Sequence, residues 1–216
     1  RHLPSLAIVA AVCGCLTTST LAAEPVQLFN GKNLRGWHAY LAKHGVTKRD
    51  VWSVKDGVLV CTGEPLGYLY TAEQYESFKM VVEWRWAPGK EAGNNGVLMR
   101  IGGEPRPLPR CIEAQLKSGS AGDLYGFHGL SMDGDAARKI DSEGSPFTGR
   151  IQGVRKKSGK EKPVGEWNRY DIVLDGSKLT VAVNGEKVNE AVDCEVLSGP
   201  VGIQSEGGEI HFRKIE

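Results

Sequence analysis

The segment Cys111–Lys117, CIEAQLK, alternates apolar and polar residues, and its polar positions include Glu113 and Gln115. Successive side chains of a strand point to opposite faces, so Ile112, Ala114 and Leu116 share one face and Glu113 and Gln115 share the other. A carboxylate beside an amide can move a proton and orient a hydroxyl. Two preceding segments alternate in the same way. In KMVVEWRW, Met80, Val82, Trp84 and Trp86 oppose Val81, Glu83 and Arg85; in GVLMRI, Val97, Met99 and Ile101 oppose Gly96, Leu98 and Arg100. If the three apolar faces cover one core, Glu83, Arg85, Arg100, Glu113 and Gln115 all stand on the far side of one sheet. Carboxylates, an amide and guanidinium forks with several directed donors would then form one site.

Each candidate has a structural competitor. Glu83 with Arg100 equally fits a cross-strand ion pair that only holds the sheet. Glu113 with Gln115 on a central strand is harder to explain that way, because carboxylates are seldom buried without a role. His128, in the loop GFHG, titrates near neutrality and is a candidate base, though a lone loop histidine is commonly just solvated. Trp86 and Tyr125 either pack into the core or floor a sugar site, since aromatic faces stack on apolar sugar faces.

The surrounding elements read as strands. Asp56-Gly57 and Asn184-Gly185 are two-residue hairpin turns between alternating arms, VWSV/VLVC and KLTVAV/EKVNEA. WNRYDIVLDG and the closing GPVGIQSEGGEIHFRKIE alternate as well. Roughly ten to thirteen strands at short spacing, with 28 glycines and no useful helical period, predict a two-sheet sandwich. Residues 131–166 carry charge, Gly, Ser and Pro with little periodicity and read as a long irregular excursion. No repeat or linker interrupts residues 24–216, which are expected to form one domain. Arg1 and His2 ahead of the apolar run Leu6–Leu16 and the small-residue stretch TTSTLAA predict a secretory signal over residues 1–23. The mature chain would be secreted or periplasmic, with lipid attachment at Cys15 as a variant.

Removing residues 1–23 takes away one arginine and no acid, which leaves 26 basic and 26 acidic side chains. A neutral balance argues against nucleic acid or an anionic membrane as the main partner, and no later segment is long and apolar enough to span a bilayer. Cys61, Cys111 and Cys194 remain and allow at most one intrachain disulfide; their spacing matches no zinc motif.

The motifs LFNGKNLRGW, VWSVKDGVL, EWRW followed by NNGVLMR, IEAQL, GDLYG, KPVGEWNRYDI, VNG and VGIQSEGGEIHFRKI occur in that order from Gln27 to Glu216. Together they resemble the 3-keto-disaccharide hydrolase domain family. The resemblance implies an all-β fold, a concanavalin A-like two-sheet jelly roll with a concave face, and a carbohydrate partner oxidised at C3. Asn95 stands where the family more often has Ser, and residues 127–160 follow no family pattern.

A ketone at C3 acidifies the hydrogen on C2. A base that removes it gives an enolate, which expels the C1 substituent, and water then adds to the enone. Such a reaction needs a base at C2, a donor at the ketone oxygen and an acid at the leaving oxygen. On the resemblance, Glu113 is the base or a metal ligand, and Arg100 and Arg85 hold the ketone oxygen or hydroxyls. Gln115 and Asn95 orient the sugar, Glu83 is the acid, and Lys162 reaches in from the KPVGEW motif. No cofactor is certain; a divalent cation on scattered ligands from Glu113, Gln115, Glu83 and His128 is an option. An ordinary glycosidase needs two flanking carboxylates, and the strand at Glu113 carries a single acid. A carbohydrate-binding module without chemistry is the competitor of a different class.

Overall fold

The computed structural model describes residues 24–216; the expected signal segment and Cys15 lie outside them. In chain order the first elements are β1 (Trp37–Leu41), a single helical turn α1 (Lys48–Val51), β2 (Trp52–Lys55), β3 (Val58–Cys61), β4 (Gly67–Thr71) and β5 (Phe78–Trp86). The middle of the chain forms β6 (Gly96–Gly102), β7 (Arg110–Gln115), β8 (Leu124–Gly126), β9 (Lys139–Ser145) and β10 (Gly149–Val154). The last third forms β11 (Asn168–Asp175), β12 (Lys178–Val183), β13 (Glu186–Ala191), β14 (Gly202–Ser205) and β15 (Ile210–Ile215).

Two sheets result. One has eight strands in the order β1-β4-β14-β6-β7-β8-β10-β9, the other seven in the order β13-β12-β11-β5-β15-β3-β2. All pairings are antiparallel. The expected hairpins form because their turn residues accept a left-handed backbone: φ is 50° and 78° at Asp56 and Gly57, and 53° and 84° at Asn184 and Gly185. Between the sheets lies one apolar core. Met80, Val82, Trp84 and Trp86 of β5 and Tyr170, Ile172 and Leu174 of β11 meet Leu69, Val97, Met99, Ile112, Ala114 and Ile203 of the opposite sheet. Each such side chain, removed from water, contributes about 1.5–3 kcal/mol. Trp84 and Trp86 pack edge to face at 6.2 Å between centroids.

A second, smaller apolar cluster covers the outer face of the eight-stranded sheet. It contains Tyr68, Leu98, Leu108, Cys111 and Phe127, with Tyr40, Tyr70, Ile101, Tyr125 and Ile151 at its margin. Leu108 comes from the Pro-rich connection between β6 and β7 and folds back over this face.

Three expectations are corrected here. First, β5 does not share a sheet with β6 and β7; the connection over residues 87–95 crosses from the seven-stranded to the eight-stranded sheet. Second, the alternation of β6 breaks at Arg100, where φ is 53° and the register with β7 shifts between Met99 and Gly102. This β-bulge sends Ile101 to the outer cluster instead of the core and turns Arg100 inward, where it is fully buried. Third, residues 139–154 are an ordered hairpin on the edge of the eight-stranded sheet, within the stretch expected to be irregular. Its first strand is exposed on both faces and is held instead by Arg150, which bridges Asp141 and Glu143. The three cysteines are all buried and free. No helix among the described residues is long and apolar enough to cross a membrane.

Candidate functional site

One line of paired residues runs across the outer face of the eight-stranded sheet. The register aligns His38 with Tyr70, Tyr70 with Gly202, Gly202 with Leu98, Leu98 with Glu113, and Glu113 with Tyr125. A second line beside it aligns Tyr40 with Tyr68, Tyr68 with Gln204, and Gly96 with Gln115. Side chains directly opposite on one face are in contact range. The aromatic ones form a continuous ladder. Tyr40 stacks on Tyr68 at 5.6 Å and 13°, Tyr68 meets Tyr70 at 5.6 Å, and Tyr70 meets His38 at 5.6 Å. Tyr125 stacks on Phe127 at 5.8 Å at the other side of Glu113.

Glu113 is 1% exposed and sits between these aromatic groups. Its Oε2 is 3.5 Å from Gln115 Nε2, a weak contact, and its Oε1 has no hydrogen-bond partner. Burial, and next the charge of Glu206, hold its carboxyl well above the usual carboxylate range. The carboxyl lies across Gly96. A Cβ built there would stand 1.9 Å from Glu113 Oε1, while the Gly96 backbone is not in the left-handed region. Glycine is therefore needed at this position for space and not for conformation. Gly96→Ala is expected to push the carboxyl out of place, lower turnover by about 10²-fold, the cost of an ångström of misplacement, and return the Glu113 titration towards that of an ordinary carboxylate. Steady-state kinetics and carbon-detected NMR titration read the two effects, and unchanged turnover would contradict the placement.

Glu206 is the acid that sequence reasoning missed. It follows β14, in which Gly202 and Gln204 alternate with Ile203 and Ser205, so the pattern GIQSE already placed it on the outer face beside Gln204. Burial raises its carboxyl pKa, opposed by a hydrogen bond from the Gln204 side chain and by Lys117. Close backbone packing fixes the chain there: a Cβ at Gly93 would lie 1.9 Å from Gly207 O, and one at Gly63 would lie 2.4 Å from Gly208 O. Asn95 is fully buried and donates from Nδ2 to the Gln204 carbonyl. Asn95 Oδ1 and Gln204 Oε1, like Glu113 Oε1, are buried acceptors without a donor. Such groups are uncommon in finished cores. Gln115 accepts Leu116 N–H and Lys117 N–H at 2.9 and 2.8 Å through Oε1, which locks its amide and aims Nε2 at Glu113. Tyr125 donates to Asp123 Oδ2 at 3.3 Å, and burial pushes its hydroxyl up to about 12.

The other expected site residues are placed elsewhere. Glu83 and Arg85 lie on the outside of the seven-stranded sheet. Glu83 faces Arg169 across the β5–β11 pair and accepts from Arg213, while Arg85 stacks over Trp167 at 4.5 Å and touches His211. Trp86 is a core residue. Arg100 donates from its two terminal nitrogens to the carbonyls of Glu195, Glu76 and Gly176 at 2.5, 3.0 and 2.6 Å, so both are engaged by backbone, while its buried Nε has no partner. His128 accepts from Arg106 at Nδ1, 3.1 Å away, and its Nε2–H donates to the Leu108 carbonyl at 2.9 Å. Those partners pin the Pro-rich loop, and burial, then Arg106, lower the imidazole pKa. Lys162 is exposed, and its backbone N–H binds Asn168 at the start of β11. Glu83 and His128 therefore do not join Glu113 and Gln115 as metal ligands. Among the described residues no three His, Cys, Asp or Glu side chains gather as a metal-binding set.

Residues 24–216 match the 3-keto-alpha-glucoside-1,2-lyase-like domain family. The chain belongs to this family. No curated protein matches the sequence. Among solved structures, a provisionally assigned glycosyl hydrolase from Parabacteroides distasonis is 23% identical, with a TM-score of 0.60 over 88% of this chain and 96% of that one. The carbohydrate-binding module CBM66 from Bacillus subtilis is 10% identical, with a TM-score of 0.58 over 83% and 93%. The kappa-carrageenase from Pseudoalteromonas carrageenovora is 13% identical, with a TM-score of 0.55 over 92% and 98%. At these identities the likeness is one of fold. The family domain is an all-β, two-sheet jelly roll of the concanavalin A-like type; alternation predicted the two-sheet sandwich, and the family resemblance implied the jelly roll.

Proposed function

We propose that this family member cleaves glycosides carrying a ketone at C3. The observation that supports it most directly is Glu113: a buried carboxyl with a free oxygen, a raised pKa and a second raised carboxyl, Glu206, on the same face. Glu113 takes the C2 proton. The C2–H electron pair forms the enolate, and its collapse breaks the C1–O bond. Glu206, whose carboxyl pKa burial raises, gives a proton to the departing oxygen. Water adding across the C1–C2 double bond completes hydrolysis, whereas release before that step is a lyase outcome. Proton transfer at such a site operates best when the acid or base titrates near the working pH, and burial shifts a carboxyl in that direction. Gln115 supplies a donor to the sugar oxygens, and Tyr125, protonated at neutral pH with its hydrogen on Asp123, offers its oxygen as an acceptor. The aromatic ladder carries the sugar faces. We also propose that the protein works outside the cytoplasm, as its N-terminal segment suggests.

The ladder itself favours a second reading, a binding module without turnover. The deciding experiment incubates the domain with a 3-keto-disaccharide and with the unoxidised parent. Cleavage of the ketone alone, with deuterium entering C2 from the solvent, is the expected result, and Glu206→Gln should slow it by about 10²-fold. Cleavage of both sugars would indicate an ordinary glycosidase, and binding of either without cleavage would indicate the module.

A further inference from the structure

We propose a second glycan site, for acidic oligosaccharides, at the edge of the sandwich beyond β1. A cavity of about 610 Å³ opens there, between the turn that precedes β1 and the edge strand β2. Lys32, Arg35, Lys48 and Arg49 line it, Leu34 and Trp52 provide apolar wall, and no acid faces it. None of these four cations is in an ion pair among the described residues; Lys48 Nζ donates to the Trp37 carbonyl at 2.5 Å. The acid within α1, Asp50, is occupied in capping that turn through Thr47 N and Oγ1, at 2.7 and 2.8 Å. Asp56, on the next hairpin, faces a different hollow with Arg85 and His211. Four uncompensated positive charges around an apolar wall, on a domain of zero net charge, create a local field that selects anions. Lys32 and Arg35 are held in place by a turn in which Asn30 Oδ1 accepts Lys32 N–H and Asn33 Oδ1 accepts Arg35 N–H.

The occupant follows from continuity with the aromatic ladder, and to that extent rests on the glycan reading of that face. The ladder ends at His38 on β1. His38, Leu41 and Lys48 line an adjoining hollow of about 390 Å³, and Lys48 lines both this hollow and the basic cavity. A sugar chain lying on Tyr40, Tyr70 and His38 and leaving over β1 arrives at Lys48, where carboxylate or sulfate substituents meet Arg35 and Arg49.

The test is calorimetric titration of the domain with an oligogalacturonate hexasaccharide, a heparin hexasaccharide, cellohexaose and inorganic phosphate. One or both acidic hexasaccharides should bind, and raising the salt from about 50 to 200 mM should weaken them several-fold through screening. Arg35→Glu/Arg49→Glu should weaken them at least about tenfold, since two of four charges reverse. Both arginines are exposed, so a thermal melt equal to that of the parent checks the fold. Glu113→Gln should bind the acidic sugars like the parent, which separates this site from the cleavage reaction. Acidic sugars that do not bind, that bind no better than cellohexaose or phosphate, or that bind the double variant equally well would overturn the proposal.

Discussion

Glu113→Gln should abolish most turnover and at the same time make the domain harder to unfold at neutral pH. Removing a proton-transfer group lowers kcat/KM by about 10²–10⁴-fold. The stability effect has the opposite sign because the folded chain raises this carboxyl pKa, through burial first and Glu206 second. The unfolded carboxyl ionises in the ordinary carboxylate range, whereas the folded one holds its proton to higher pH. Between those two values the folded state binds more protons than the unfolded, so stability falls as pH rises through the window. An amide of the same shape carries no such penalty. The variant should melt higher than the parent at pH 7.5 and show no advantage below the pH at which the unfolded carboxyl is protonated. For a domain of this size each kcal/mol recovered raises Tm by about 2–4 °C. Melts at both pH values, with kinetics on a 3-keto substrate, check the pair of effects. Full turnover in the variant would remove Glu113 from the reaction, and a lower Tm at pH 7.5 would mean the carboxylate is stabilised by a donor.

Arg100→Ala is expected to produce the opposite profile, a large loss of stability with the chemistry intact. Its fork closes three carbonyls that belong to the segment before β5, the β11–β12 turn and the segment before β14. Truncation orphans all three and opens a cavity where a fully buried side chain stood. Together these cost about 3–5 kcal/mol. The melting temperature should drop by roughly 10 °C. Turnover measured well below the melt should stay within a few-fold of the parent, because Arg100 touches nothing on the outer face. A variant that melts normally but fails to cleave would restore Arg100 to the site.

Arg100 also shows where sequence reasoning stops. Alternation correctly assigned strands at β5, β6 and β7, since each has an apolar residue at every second place. It could not tell to which sheet each strand belongs. The polar stretch APGKEAGNN fits a hairpin as well as it fits a crossing between layers, and the crossing carried Glu83 and Arg85 to the far side of the molecule. The bulge at Arg100 has no local signature either, because a left-handed arginine is tolerated only when tertiary contacts hold it. The β9–β10 hairpin escaped detection for a related reason: β9 has both faces in water, and β10 buries little beyond its last two residues, so neither shows a period-two pattern to read. Glu206, by contrast, was legible. The same alternation that selected Glu113 selects it once β14 is counted from Gly202 rather than from the turn that follows.

Cys61 and Cys194 both lie in the central core, Cys194 beside the segment that Arg100 clamps, while Cys111 lies under the outer face of the eight-stranded sheet. Burial pushes Cys61 and Cys194 up to about 11 and holds Cys111 well above the ordinary thiol range, so none offers a thiolate to a reagent while the fold is closed. The chain thus carries three silent tags, two in the central core and one under the outer face. The order in which an alkylating agent finds them maps the sequence in which the jelly roll breathes and comes apart, without any engineered label.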